Sequence, residues 1–227
     1  MRNIIFMCLV AFAGWASAAP QAPPDIQLRT ATSAMTTGIM QNKNLQENSM
    51  EKIVELAEST ILPMFNFRHM TRLAMARSWR IASPAQQDAL VIEFRTLLVR
   101  TYSATLTSYR DQTIEYKTLR MAPDEITVTV KSVLKQPGTA NMSIDYDMEK
   151  TALGWKVYDI KISDISLITT YRLPFEQAIR EGGVDGLIKS LATKNLRADS
   201  WLKSRESGAG SFLFVYSVIS GLSGSRR

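Results

Sequence analysis

Residues 154–172 read GWKVYDIKISDISLITTYR. In the first half, Trp155, Val157, Tyr158, Ile160 and Ile162 are aromatic or β-branched, with Lys156 and Lys161 interleaved. That is the pattern of a half-buried strand. The alternation stops after Asp164, and Ile165, Leu167, Ile168 and Tyr171 then recur at spacings that suit one face of a helix. The stretch therefore predicts a strand that ends a sheet and feeds a helix folded back on it. It supplies apolar groups, hydroxyls and aromatic rings, but no recognisable catalytic set. Such a set of groups favours holding an apolar molecule over reacting with one.

The residues before Gly154 build the sheet. Ile114 and Tyr116 alternate with Glu115 and Lys117. Ile126, Val128 and Val130 alternate with Thr127, Thr129 and Lys131, and Met142, Ile144, Tyr146 and Met148 with Ser143, Asp145, Asp147 and Glu149. Pro123-Asp124, Pro137-Gly138 and Leu153-Gly154 mark the turns. Strands joined this closely, with no intervening helix, run antiparallel. The expectation is a four-stranded antiparallel meander with one apolar face, covered by helices: an α+β arrangement.

Those helices precede and follow the sheet. From about Asp25 to Gln41 a weak amphipathic pattern puts Ile26, Ala31, Ala34 and Met35 on one face, and Asn42 to Asn48 reads as a turn. Ser49 precedes a helix with Ile53, Val54, Leu56, Ala57 and Ile61 as its buried stripe, ended or kinked at Pro63. Another helix starts near Phe67, with Met70, Leu73, Ala74 and Trp79 turned inward. Ser83-Pro84 reads as a cap followed by a first-turn proline. The helix it opens, the longest expected, presents Leu90, Ile92, Phe94, Leu97, Leu98, Tyr102, Leu106 and Tyr109. After the sheet, Pro174 opens a helix that Gly182-Gly183 interrupts, and a short helix follows to about Ala192.

The ends differ in character. Arg2, the apolar run Ile4–Phe12 and Ala16-Ser17-Ala18 form the three parts of a secretory leader, so residues 1–18 are read as a signal peptide cleaved near Ala18. The only cysteine, Cys8, leaves with it, and the mature chain then has no disulfide or thiolate-bound metal. Residues 19–48 are a proline-containing spacer and first helix, and 49–202 the main domain. Residues 203–227 form a Ser- and Gly-rich tail around an apolar run too short to span a bilayer.

Charge and motifs exclude several classes. The chain holds 27 Lys and Arg against 21 Asp and Glu; loss of Arg2 leaves a net +5. The cations are scattered, which argues against nucleic acid but allows an acidic partner or anionic lipid. There is no phosphate loop, dinucleotide fingerprint or nucleophile elbow. The single histidine, His69, lacks neighbouring carboxylates in the sequence and reads as structural rather than metal-binding. Asp145 and Asp147 share a face opposite Ile144 and Tyr146, and read as a solvated outer face.

Several blocks resemble one family. ILPMFNFRHMTRLAMARSWR (61–80), QQDALVIEFRTLLVRTYSATLTSYRDQTIEYK (86–117), DYDMEKTALGWKVYDIKISDISLITTYR (145–172) and GVDGLIKSLATKN (183–195) are similar to the MlaC, or toluene-tolerance, family of periplasmic phospholipid-binding proteins from Gram-negative bacteria. Two positions depart from its pattern: Asn66 stands where aspartate is expected, and His69 where arginine is commoner. The tail after Lys203 is not associated with the family. The resemblance implies a cone related to nuclear transport factor 2, with a helical subdomain. It implies no enzyme and no cofactor, but a phospholipid held as cargo by its acyl chains. It further implies a monomeric periplasmic shuttle between an outer-membrane lipoprotein–porin complex and an inner-membrane ABC transporter bearing MCE domains, maintaining outer-membrane lipid asymmetry.

On that reading, inward positions of the sheet and its covering helices line the lipid site. Val128, Val130, Ile144, Tyr146 and Val157 come from the strands, Tyr102 and Leu106 from the long helix, and Leu167, Ile168 and Tyr171 from the segment after the last strand. Two alternatives carry different expectations. An enzyme on the same cone needs a buried acid–base pair, for which Asp159 with Tyr158 is the local candidate. A non-binding adaptor would have a solid core and no extractable lipid.

Overall fold

The computed structural model describes residues 21–41, 50–106, 113–135 and 140–205, with the side chains of residues 50, 104–106 and 197–205 excepted. The leader with Cys8, the Asn42–Asn48 turn, the Ser49 cap, Tyr109, the Pro137-Gly138 turn and the tail beyond 205 lie outside the described residues.

Among the described residues, four α-helices precede the sheet: α1 (Pro24–Gln41), α2 (Met50–Thr60), α3 (Phe67–Met75) and α4 (Pro84–Leu106). The strands are β1 (Thr113–Tyr116), β2 (Thr127–Lys135), β3 (Met142–Thr151), β4 (Gly154–Ile162) and β5 (Ile165–Ser166). They form one antiparallel meander in chain order. A final helix, α5 (Arg172–Arg205), follows. The α+β layering is as the alternation predicts, but the sheet has five strands rather than four.

The fifth strand corrects the helix expected over residues 165–171. Ile162 pairs with Ile165 across a two-residue loop, Ser163-Asp164, and both loop residues have positive φ, 49° and 65°. That is the conformation a type I′ hairpin turn requires. The usual signal for such a turn is Asn-Gly or Asp-Gly, and here no glycine announces it. The chain then passes through a 3-10 turn, Thr169–Tyr171, before α5 begins.

Local chemistry explains the helix starts. The Ser83 hydroxyl accepts from the Gln86 amide at 3.2 Å, and the Gln86 side chain accepts from the Ser83 amide at 3.0 Å. This reciprocal box satisfies two amides at the start of α4. Pro174 sits in the first turn of α5, where its missing N–H costs nothing. At Gly183 α5 kinks, with φ 66° and ψ −169°, a region that side chains exclude. The kink joins two helices, one on each side of Gly183, as the glycine pair predicts.

Among the described residues, three separate apolar clusters form the interior. The largest joins α3, α4 and α5 around Phe94, which meets Tyr171 and Phe175 edge-on at 4.9 and 5.0 Å. The second lies on one sheet face and includes Val130, Met148, Trp155 and Val157, with Leu28 of α1 among them. The third joins α1 to α2 through Met35, Ile39, Ile53 and Ala57. The buried stripe of α1 is Leu28, Ala31, Met35 and Ile39, a turn-by-turn repeat. Ile26 and Ala34, expected inward, are exposed. Ile92 is also corrected: it faces solvent, 62% exposed.

The outer sheet face is less solvated than expected. Asp147 is only 8% exposed, accepting from Thr129 Oγ1 at 2.7 Å and lying 2.7 Å from Lys161 Nζ. Asp145, half-buried, lies 3.9 Å from Lys131. Opposite charges on adjacent strands satisfy carboxylates that the neighbouring side chains cover.

Candidate functional site

Where the three clusters meet they do not merge, and an apolar cavity of about 240 Å³ remains. Each cluster supplies part of its wall: Met70 and Leu98, Ile144 and Tyr146, Met35 and Ala57. Phe65 and Phe67, before and at the start of α3, complete the wall, with Leu167 from the segment after β5. No charged side chain lines it among the described residues.

The strand register shows why the space is there. Ile144 pairs with Ile162 and Tyr146 with Ile160, so these four share a face at one end of the sheet. At the other end the same face carries Val128, Val130, Met148 and Val157, packed with Leu28. Leu28 fills that end. One to three turns further along α1, Thr32, Met35, Thr36 and Ile39 line the cavity.

The wall holds few polar atoms, and their hydrogens are committed. Thr32 Oγ1 donates to the Leu28 carbonyl at 3.0 Å and pairs with the Tyr116 hydroxyl at 2.8 Å. Thr36 donates to Thr32 at 2.9 Å and Ser103 to Val99 at 2.5 Å. The Tyr102 hydroxyl is hydrogen-bonded to Tyr171. Burial raises the titration of both tyrosines above the usual phenol value, more so for Tyr171, so both stay neutral near pH 7. The cavity can therefore accept hydrocarbon, whereas a charge moved into it would lose its hydration without a partner.

Of the expected site residues, Tyr102, Ile144, Tyr146 and Leu167 are brought together at this wall. Val128, Val130 and Val157 lie in the filled end of the sheet, packed against Leu28 rather than lining the space. Ile168 and Tyr171 are buried in the helical cluster, behind Tyr102. Leu106 falls in the last turn of α4, and its side chain is outside the described residues. The wall residues missed from the sequence come from α1, from the stretch Ala57–Met70, from α4 and from β1 and β4. Helical stripes and strand alternation mark most of them as inward, but periodicity does not separate a cavity wall from a packed core.

Two features hold the wall in place. Asp159, 5% exposed, accepts from the Ile160 and Ile168 amides at 2.8 and 3.2 Å and from Ser166 Oγ at 2.5 Å. The carboxylate staples the β5 segment to β4 and so presents Leu167 to the cavity. Neither Asp159 nor Tyr158 lines the cavity. The second feature is a β-bulge. Asp147 pairs with Asp159 and Met148 with Val157, leaving Tyr158 as the extra residue. Its ring stacks on His69 at 4.5 Å. Beside it the Asn66 amide donates to the Val157 carbonyl at 2.8 Å, tying α3 to β4. His69 is thus half-buried against the strands.

The fold and the partly open apolar space are those of a small α+β protein with a cavity between its sheet and helices. No helix among the described residues is long and apolar enough to cross a membrane. The family model of the MlaC protein matches residues 29–193, and the chain belongs to that family. It is also similar to a solved structure of the phospholipid-binding protein from Ralstonia solanacearum, in complex with a phospholipid. The two are 35% identical with a TM-score of 0.73, over 78% of this chain and 99% of that one.

Proposed function

We propose that this chain is a non-catalytic periplasmic phospholipid carrier that shields acyl chains in the cavity and leaves the phosphate headgroup in water. The observation that carries the reading is the 240 Å³ apolar cavity at the junction of three cores. The pocket is partly open and its wall is almost wholly apolar, so without a ligand it leaves hydrocarbon surface facing water. Even an apolar cavity of about 150 Å³ takes up benzene. Acyl chains suit a wall without free donors, and each buried methylene contributes about 0.8 kcal/mol. The family membership and the phospholipid complex of the similar Ralstonia protein support the same ligand class.

The secretory leader supports export to the periplasm. A carrier there exchanges lipid with an outer-membrane lipoprotein–porin complex and an inner-membrane MCE-domain ABC transporter. It acts as a monomer and contributes to outer-membrane lipid asymmetry. The test is organic extraction and mass spectrometry of the protein purified from the periplasm, with Ile144→Trp alongside. A phospholipid is expected with the wild type, and a folded Ile144→Trp chain is expected to have lost most of it. Folded wild-type protein with no extractable lipid would sink the carrier reading.

A further inference from the structure

Away from the cavity, α3 ends in a strained turn. Ala76 has φ 48° and ψ −122°, a backbone conformation that residues with a Cβ rarely adopt, and its amide donates to the Arg72 carbonyl. The strain stops α3 at Met75 and turns the chain into the 3-10 segment Ala76–Arg80. Arg72, Arg77 and Arg80 are all exposed there, and none meets a carboxylate among the described residues. Arg172 joins them from the start of α5, its Nε donating to the Leu73 carbonyl at 3.0 Å. Two branched aliphatic residues stand on these same segments: Ile81 is 71% exposed and Leu173 68%.

A structural role accounts for only part of this. A helix C-terminus favours one cation in its last turn, and Arg72 occupies that place. Arg172 caps a carbonyl. Arg77 and Arg80 lie in the last turn of the 3-10 segment that follows, which extends the cationic stretch past the end of α3. Many other cations of the domain have acidic partners, as in Arg68–Asp88, Arg95–Glu58, Lys131–Asp145 and Lys161–Asp147. The nearest ion pair along α5 is Arg180–Glu176, one turn beyond Leu173.

We propose that the Arg72–Ile81 turn and the Arg172-Leu173 start of α5 form a docking surface for an anionic phospholipid bilayer. Guanidinium groups pair with lipid phosphates in a forked geometry. Exposed aliphatic side chains among them enter the apolar layer just below the headgroups. An acidic protein surface would match the same charge, and the vesicle test separates the two. The choice of a bilayer rests on the phospholipid-carrier reading, because a lipid carrier exchanges its cargo with one.

The test is co-sedimentation of the purified protein with sucrose-loaded vesicles, either phosphatidylglycerol mixed with phosphatidylcholine or phosphatidylcholine alone. Binding is expected only to the anionic vesicles, falling as salt is raised. Arg72→Gln/Arg77→Gln/Arg80→Gln is expected to weaken it on the order of 100-fold, at one cation's share per arginine. Ile81→Ser/Leu173→Ser is expected to weaken it roughly tenfold or more. These positions are exposed, and circular dichroism confirms that each variant is folded. Lys117→Gln/Arg120→Gln/Lys150→Gln removes the same charge elsewhere and is expected to change binding several-fold less than the arginine variant. Equal losses from the two triple variants would reduce the effect to net charge and overturn the proposal. Failure of the wild type to bind anionic vesicles would also overturn it and leave the arginines to an acidic protein partner. Lipid extraction from the same preparations reports on the cargo separately, so vesicle binding without extractable lipid would reject the carrier and not the surface.

Discussion

The His69 imidazole meets the Glu149 carboxylate, Nδ1 to Oε1, at 2.8 Å. The same oxygen receives the Asn66 side-chain amide at 2.7 Å, and Asn66 Oδ1 caps α3 by accepting from the His69 amide at 3.0 Å. A carboxylate only accepts, so the imidazole carries its hydrogen on Nδ1. Asn66 and His69, the two positions expected to depart from the family pattern, are therefore partners in one cluster. It joins α3 to β3, next to the aromatic wall at Phe65 and Phe67.

Asn66→Asp is the direct test of that cluster. It keeps the cap but turns a donor into a carboxylate facing Glu149. Loss of the hydrogen bond and the new repulsion are expected to cost about 1–3 kcal/mol, read as a melting temperature lower by several degrees. Adding His69→Arg should recover part of the loss, because a guanidinium can serve both carboxylates. Additive losses in the double-mutant cycle would show that the residues act independently.

Val130 and Ile144 separate a packed position from a cavity wall. Val130 is fully buried beside Leu28, and Val130→Trp is expected to destabilise by about 1–3 kcal/mol or more through overpacking. Ile144→Trp has the cavity to expand into and is expected to leave the melting temperature of lipid-free protein unchanged or higher. Similar losses at both positions would mean that the space closes in solution.

Alkaline pH should weaken the fold through Tyr102 and Tyr171. Burial raises both above the phenol value of 10.0, so their folded-state values exceed the unfolded ones. Their contribution is then complete below about pH 10 and is lost as pH rises through the folded values. The urea midpoint is expected to hold from about pH 8 to 9.5 and fall beyond pH 10. Tyr171→Phe should flatten the fall. An identical fall in that variant would assign it to other groups.

The Ser163-Asp164 turn offers a stabilising substitution. Asp164 has φ 65°, which glycine adopts without the Cβ contact. Asp164→Gly is expected to raise stability by about 1 kcal/mol, offset in part by the freer unfolded chain. Chemical denaturation measures it. A fall in stability would show that the aspartate side chain supports the turn.

Much of the layer arrangement is legible along the chain. The alternation in Met142–Met148 and Trp155–Ile162 survives as strands because a strand buries every second residue whatever lies opposite. The stripe Ile53–Ala57 and the Ser83–Gln86 box are also local, set by helix geometry over one or two turns. Ile26 and Leu28 show where such reading weakens. α1 is only faintly amphipathic, and contact with Val130 and Trp155 selects Leu28 as the buried member.

The sequence by itself determined an α+β chain whose apolar stripes face inward and whose blocks mark its family. The tertiary structure decided which inward residues touch one another and which face empty space. Tyr146 and Val130 are cross-strand partners on one sheet face, yet only Tyr146 borders the cavity. The physical reason is that hydrophobic periodicity encodes burial, a property of one residue and its helix or strand. A cavity is a property of the distance between three packed clusters, and only the placement of α1, α3 and α4 over the sheet sets that distance.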